Sequence, residues 1–327
     1  MSIHYGKVGD ATTCHAGRAM LVVEAANLKL KLQRLFFETQ EYIDIRNFLE
    51  AETSLQAATP PMAHGTKRGI CLFGPTGCGK TRTINEAIYS LAPRKNNPDA
   101  AEGVLEISTM SLVSTKHKKN FLEMILHILS DEPEINAADC KIDTKICNLF
   151  KKIGAQTLYF DDFQDLTESA TDAELKDIAK GLRFLLKNKN WPVSLVIASS
   201  EDGNSVFECD ESLKRLFLFL HQKELKLPDD MKKIAEIFQT LCQSVADFEY
   251  ELETIPMLSR HVISVSCGRL GMSIELIIDA IVDAVSNGES NISYKQFARV
   301  LRMRGVPIKN NPFLLGSTVN PTILKMP

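Results

Sequence analysis

The segment Gly74-Pro75-Thr76-Gly77-Cys78-Gly79-Lys80-Thr81 carries the most specific chemistry in the chain. It fits GxxxxGK[ST], after the apolar run Gly69–Phe73 and before the helical pattern Thr81–Leu91. That is the context in which such a loop wraps phosphates, the Walker A arrangement. Glycines permit backbone conformations that aim several N–H groups at phosphate oxygens. Lys80 supplies a point charge to the β- and γ-phosphates. Thr81 offers a hydroxyl to Mg2+, and the helix N-terminus adds a favourable dipole. Cys71 and Cys78 bracket the loop and read as small space-fillers.

A phosphate site of this kind needs an acidic partner at the end of another apolar strand. Thr157-Leu158-Tyr159-Phe160-Asp161-Asp162 supplies one about 80 residues on, the Walker B arrangement. Asp161 is expected to hold Mg2+, largely through water, and Asp162 to polarise the attacking water. In P-loop ATPases of this type the strand between the two Walker strands ends in a polar sensor of the γ-phosphate. The apolar run 193–199 ends in Ser199-Ser200, so either serine fits that role. The seven histidines are scattered without HxxxH or HExxH spacing, which gives no zinc site and no hydrolase triad.

The elements that must position these residues form an alternating pattern. Strands are expected at Gly69–Phe73, Val104–Thr109, Thr157–Asp161 and Val193–Ser199. Helices fall between them, at Thr81–Leu91, Phe121–Leu129, 143–153 and 173–188. Strands separated by helices imply a parallel sheet covered on both faces. Residues 1–19 read as a loose arm and 20–50 as helical, with Leu21, Ala25, Leu28, Leu32, Leu35 and Phe36 recurring. Residues 51–68 read as a connector broken by Pro60-Pro61, and 92–103 as a polar loop. After Pro228 the pattern is purely helical, with apolar stripes at 234–245 and 270–285 and a third helix at about 293–303. The boundaries that follow are 1–68 for an arm and helical extension, 69–228 for the phosphate-binding core, 229–305 for a helical lid and 306–327 for an extended tail. Pro312-Phe313-Leu314-Leu315 in that tail reads as an exposed apolar docking segment.

Composition sets the outer limits. The chain has 327 residues, 44% hydrophobic and 24% charged, which is ordinary for a globular protein. No run reaches the roughly 18 apolar residues of a membrane span, and the N-terminus shows no signal-peptide core. The eight cysteines lack paired CxxC spacing, which with the missing leader points to reduced thiols in the cytoplasm. A net charge of −3 excludes a globally basic nucleic-acid binder but allows a local basic patch. The run Lys116-His117-Lys118-Lys119 precedes the helix at 121. Cations there oppose the helix dipole by about 0.3–1 kcal/mol each, and a nucleic-acid phosphate backbone would offset that repulsion. A second cluster, Arg299, Arg302, Arg304 and Lys309, reads as a solvated helix end favoured by the dipole.

Taken together, Walker A, the acidic Walker B segment FDDFQDL, the segment WPVSLVIASS, an arginine before an apolar stretch and a helical lid resemble the AAA+ transposition regulators. These are the TnsC and TniB proteins, with MuB more distant. The resemblance covers about 65–305. Its further echoes are the 172–187 helix followed by Trp191-Pro192 and the lid segment Gly268-Arg269-Leu270-Gly271. It implies an ATPase that binds double-stranded DNA, oligomerises as a ring or filament, and links a target-selection protein to a transposase. ATP would sit between subunits. Arg215, in Ser212-Leu213-Lys214-Arg215-Leu216-Phe217, matches the arginine that reaches a neighbour's phosphates, with Lys214 beside it. Arg269 matches a lid sensor within the same subunit, and Lys116–Lys119 the region that lines the DNA channel. One position departs from the family, where glutamate generally stands at Asp162. The shorter side chain places its carboxylate about 1.5 Å farther from the water and implies slow hydrolysis. The rival readings are an AAA+ replication initiator or helicase loader, and, from another class, a P-loop small-molecule kinase that stays monomeric.

Overall fold

The computed structural model describes residues 11–58, 66–91, 93–94, 97–101, 103–114, 120–129, 142–245, 248–251 and 254–314. The chain divides into two compact units, 38–223 and a second made of 1–37 with 224–327. These units cut across the sequence boundaries at 68 and 228. Helical periodicity over 20–50 is real, but it belongs to two helices, α1 (Ala11–Gln33) and α2 (Gln40–Ala58), one in each unit. The break comes where the Thr39 hydroxyl accepts the Tyr42 N–H, the bond of an N-cap threonine. Residues 11–19, expected to be an arm, are already helical, and the expected connector at 51–68 is helical to Ala58.

The 38–223 unit is built on a five-stranded parallel sheet. Its strands are β1 (Gly69–Phe73), β4 (Val104–Ile107), β5 (Thr157–Phe160), β6 (Ser194–Ser199) and β7 (Phe217–His221), in the order β4-β5-β6-β1-β7. Both Walker strands, β1 and β5, therefore flank β6. β1, β5 and β6 are buried along their whole length, so each reads as a continuous apolar run rather than an alternating one. The helices that cover the sheet include α3 (Lys80–Tyr89), α5 (Phe121–Leu129), α6 (Ile142–Ile153) and α8 (Asp172–Lys187). Phe73, Phe121, Phe160, Phe163 and Phe207 fill the core. Phe207 meets Phe217 edge-on at 4.8 Å, which fastens β7 to that core. At the base, Lys67 Nζ lies 3.0 Å from Glu52 Oε2, and the Ser194 hydroxyl donates to the same carboxylate at 2.6 Å, tying α2 to β6.

Three elements depart from the sequence expectation here. The strand expected over 104–109 ends at Ile107, because Thr109 opens a short helix, α4 (Thr109–Ser114). The expected loop at 92–103 contains a ribbon of β2 (Pro93–Arg94) and β3 (Asn97–Ala101). Phe217–His221 is the fifth strand of the sheet. It is an edge strand, with Leu218 half exposed and only one neighbour, so its sequence FLFLH lacks the clean signature of its partners. The short helices α7 (Gln164–Thr167), α9 (Ser205–Glu208) and α10 (Glu211–Lys214) complete this unit.

The second unit packs α1 with α11 (Met231–Gln243), α12 (Ile255–Val265), α13 (Leu270–Ser286) and α14 (Tyr294–Met303). β8 (Glu249–Tyr250) and β9 (Asn291–Ile292) form a short parallel pair. Leu32 of α1 is fully buried among residues of α11, α12, α13 and α14. Lys29 Nζ and Arg304 Nη2 both pair with Asp279, at 2.9 and 2.5 Å. Burial pushes the Asp279 carboxyl up, but those two cations hold it below its usual range. Arg299 pairs with Asp283 and Glu289 at 2.5 and 2.6 Å, so two of the four cations in the 299–309 cluster are committed to ion pairs within this unit. The start of the expected tail folds back as well. Phe313 is 5% exposed and stacks on Phe297 at 5.0 Å, and Asn311 Nδ2 donates to the Ala298 carbonyl. Of the expected docking segment only Leu314 is exposed, and Leu315 onward lies outside the described residues.

Candidate active site

β1 delivers the chain to Gly74, whose N–H donates to the Ser199 carbonyl at 3.2 Å. The loop then turns through Gly77 and Gly79, at φ 84° and 98°, conformations that a side chain would strain. Gly79 caps α3 in the left-handed region, and Lys80 is its first helical residue. The Lys80 ammonium lies inside the curl of the loop, 6% exposed, and donates to the Gly74 and Pro75 carbonyls at 2.8 and 3.2 Å. Cys71 and Cys78 are both buried, and burial followed by the Glu201 charge raises the Cys71 thiol well above its ordinary range.

The strand order brings the acidic partner to this loop. Across β6 from β1, Asp161 leaves the end of β5, and its Oδ1 accepts the Thr81 hydroxyl at 3.1 Å. Thr109, at the start of α4, donates its hydroxyl to the Asp161 carbonyl and fixes the backbone there. Burial, and then the Asp161 charge, push the Tyr159 phenol above its ordinary range, so it stays protonated beside the carboxylate. Asp162 follows at φ 47°, a left-handed conformation that aspartate tolerates better than longer side chains do. Its carboxylate is exposed and accepts the Gln164 amide at 3.1 Å. Buried Phe163 anchors the turn, its N–H donating to the Ala198 carbonyl at 2.9 Å.

The two serines at the end of β6 differ in environment. Ser199 is fully buried, and its hydroxyl donates to Gln164 Oε1 at 3.3 Å. Ser200 is partly exposed; its hydroxyl donates to Asp202 Oδ2 at 3.0 Å, and its N–H donates to Gln164 Oε1 at 2.9 Å. Gly203 makes room for this packing, since a Cβ there would lie 2.1 Å from Ser199 Oγ. The structure thus brings Gly74–Thr81, Asp161, Asp162, Ser199 and Ser200 together. Gln164 and Thr109 also belong to the cluster, although neither was singled out in the sequence. The visible signal for Gln164 was a polar residue inside the acidic segment FDDFQDL.

Arg215 stands elsewhere. It follows α10, two residues before β7, and its side chain is 81% exposed, with Glu211 at 3.7 Å. Arg269 belongs to the other compact unit, where it caps α13 after a left-handed pair, Cys267 at φ 52° and Gly268 at φ 74°. A Cβ at Gly268 would meet the Leu225 carbonyl at 2.7 Å, so glycine is required for that close approach. Arg269 Nη1 donates to Met272 Sδ at 3.8 Å, while its buried Nε has no hydrogen-bond partner. Lys116, His117, Lys118 and Lys119 lie outside the described residues.

The sequence profile of the bacterial TniB protein matches residues 34–226, more than half of the chain. The chain belongs to the TniB family. No curated protein matches it. Among solved structures it is similar to a mutant of RuvB from Thermotoga maritima, at 17% identity and a TM-score of 0.46, covering 82% of this chain and 70% of that one. It is also similar to ORC2 from Aeropyrum pernix, at 14% identity and a TM-score of 0.48, over 79% of this chain and 66% of that one. ORC1 from the same organism, solved in complex with DNA, gives 13% identity and a TM-score of 0.48, over 78% and 65%. With the strand order β4-β5-β6-β1-β7 and the phosphate loop after β1, this TniB-family chain is a nucleotide-binding AAA+ P-loop ATPase. Among the described residues no helix is long and apolar enough to cross a membrane.

Proposed function

We propose that this TniB-family ATPase binds ATP with Mg2+, assembles with copies of itself on target duplex DNA, and links a target-selection protein to a transposase. The observation that carries the reading is the position of Arg215. β1 and β7 run parallel in register, Gly69 opposite Phe217 and Phe73 opposite His221. The phosphate loop leaves the C-terminal end of β1, whereas Arg215 precedes the N-terminal end of β7. An exposed arginine at the wrong end of its own sheet suits the nucleotide of a neighbouring subunit.

Within the site, Lys80 and the loop N–H groups hold the β- and γ-phosphates. The Thr81 hydroxyl and the Asp161 carboxylate converge to 3.1 Å as a pair of hard oxygen donors, which fits Mg2+ with water completing its shell. The ion would neutralise charge on the phosphate oxygens. Asp162 accepts a proton from the attacking water as its oxygen bonds to the γ-phosphorus, and the bond to the β-phosphate oxygen breaks to release ADP. Arg215 of the neighbouring subunit stabilises the charge that develops. The short Asp162 side chain makes hydrolysis slow, which suits a regulator whose ATP state marks a site. The Lys116–Lys119 run contacts DNA phosphates rather than bases, so binding is salt-dependent and sequence-tolerant.

Electron microscopy of the full chain with an ATP analogue and duplex DNA tests the reading. Rings or helical filaments around DNA are expected, and a monomer under all conditions would refute it in favour of a small-molecule kinase. Alanines at Lys116, Lys118 and Lys119 should reduce the slope of log K against log salt by roughly 2–3 per subunit. An unchanged slope removes that run from the DNA interface.

A further inference from the structure

We propose that Gln164 is a positioning residue for hydrolysis, a bridge that orients the Asp162 carboxylate from the sensor strand β6. The inference rests on the reading of Asp162 as the group that receives the water's proton.

The amide of Gln164 is engaged at both ends. Its Oε1 accepts the Ser200 N–H at 2.9 Å and the Ser199 hydroxyl at 3.3 Å. Its Nε2 donates to Asp162 Oδ1 at 3.1 Å and to Asp165 Oδ1 at 3.3 Å. The orientation of the amide follows from chemistry alone. A backbone N–H can only donate, so the oxygen must face Ser200. Ionised carboxylates can only accept, so the NH2 must face Asp162 and Asp165. Both ends select the same rotamer.

The bridge closes a circuit around the site. Gly74 of the phosphate loop donates to the Ser199 carbonyl, the Ser199 hydroxyl and the Ser200 N–H reach Gln164, and Gln164 reaches Asp162. Ser199 is fully buried, so its hydroxyl acts on the site through another group. Gln164 is that group, and it is only partly buried. Asp162 needs such a hold. It lies on a sharp turn at φ 47°, and its side chain is exposed. A carboxylate with several solvated rotamers spends little time aimed at one water. A misplacement of about 1 Å is enough to lose on the order of 100-fold in rate.

The test compares Gln164→Leu, Gln164→Glu and Asp162→Asn, singly and combined, in the full chain with duplex DNA. Single-turnover ATP hydrolysis and the Kd of an ATP analogue are measured for each. Gln164→Glu keeps the size of the side chain and one acceptor for Ser200, but turns a carboxylate toward Asp162 and Asp165. It reads the proposal even if Gln164→Leu does not fold. Both single variants should lose roughly 10–100-fold in rate while the Kd stays within about twofold. In the Asp162→Asn background, neither Gln164 variant should lower the residual rate further. A bridge that acts only through Asp162 has nothing left to position there. Wild-type rates in the Gln164 variants, with Asp162→Asn inactive, overturn this proposal and leave the role of Asp162 standing. A loss that persists in the Asp162→Asn background, or a Kd that weakens in step with the rate, shows a merely structural role and also overturns it. A wild-type rate for Asp162→Asn itself overturns the reading of Asp162 and this inference with it.

Discussion

If Arg215 acts between subunits, two inactive variants should make an active mixture. From the Phe73 rung to the Phe217 rung of the β1–β7 pair is four residues, about 13 Å at about 3.3 Å per residue. Arg215 lies two residues beyond Phe217, and the phosphate loop begins one residue beyond Phe73 at the other end. An extended arginine side chain spans about 7 Å from its Cα. It cannot reach the phosphates bound by its own loop.

Arg215→Ala should therefore bind ATP as a monomer like wild type, yet lose on the order of 1,000-fold or more in hydrolysis. Asp162→Asn should bind ATP and assemble but hydrolyse only at a small residual rate. In an equimolar mixture each site takes its loop from one subunit and its arginine from the next. A site is intact when the loop comes from Arg215→Ala and the arginine from Asp162→Asn, which in random head-to-tail assembly is about a quarter of the interfaces. Hydrolysis in the mixture, followed by phosphate release with duplex DNA present, should rise toward that fraction of the wild-type rate. Activity no greater than the sum of the separate variants would refute the argument. So would a wild-type rate in Arg215→Ala alone.

Three further outcomes follow from the packing. Asp162→Glu places a less tolerant side chain at φ 47° and should lower stability by about 0.5–1 kcal/mol in chemical denaturation; an equal or greater stability would mean that the turn relaxes. Arg299, with Lys295 and Gln296, holds the Glu289 carboxyl down at about 2 from an ordinary 4.5. Its folded value is below its unfolded one, so the stabilisation is complete above pH 4.5 and lost as pH falls toward 2, and Glu289→Gln should flatten the stability profile over that window; an unchanged profile would refute it. Phe313→Ala removes a buried ring that stacks on Phe297 and meets His261 edge-on at 5.6 Å, and should destabilise the unit of α1 and α11–α14 by about 3–5 kcal/mol; a loss under about 1 kcal/mol would place the ring outside the core.

The parts of the fold legible in the sequence are those whose residues face one environment throughout. β1, β5 and β6 are buried on both faces, so each appears as an unbroken apolar run, and the loop glycines and Lys80 have a fixed spacing after one of them. Edge strand β7 was hidden because its outer side is half solvated and its residues resemble any apolar stretch. The break between α1 and α2 was hidden by matching periodicity on both sides of Thr39, and only its capping bond marks it. Phe313 looked exposed because prolines surround it in sequence, whereas a pocket formed by His261, Tyr294 and Phe297 awaits it in space. Gln164 shows the same limit at the site. Its four polar partners come from two segments about 36 residues apart, and nothing in the spacing of FDDFQDL announces the second.

A parallel sheet places the ends of its strands on two opposite sides. In this chain the phosphate loop, Asp161, Asp162 and the end of β6 occupy the C-terminal side, while Arg215 occupies the N-terminal side. On the proposed reading, one subunit therefore holds both halves of a hydrolytic site and can complete neither alone. Binding of ATP needs only the first half, and hydrolysis needs a neighbour. The energetic consequence is an order of events. On that reading nucleotide binds first, assembly follows, and the water is activated last, by a short carboxylate at φ 47° that accepts the Gln164 amide. On the same reading, the short side chain at Asp162 slows the final step, which lengthens the ATP-bound assembly and gives a partner more time to find it.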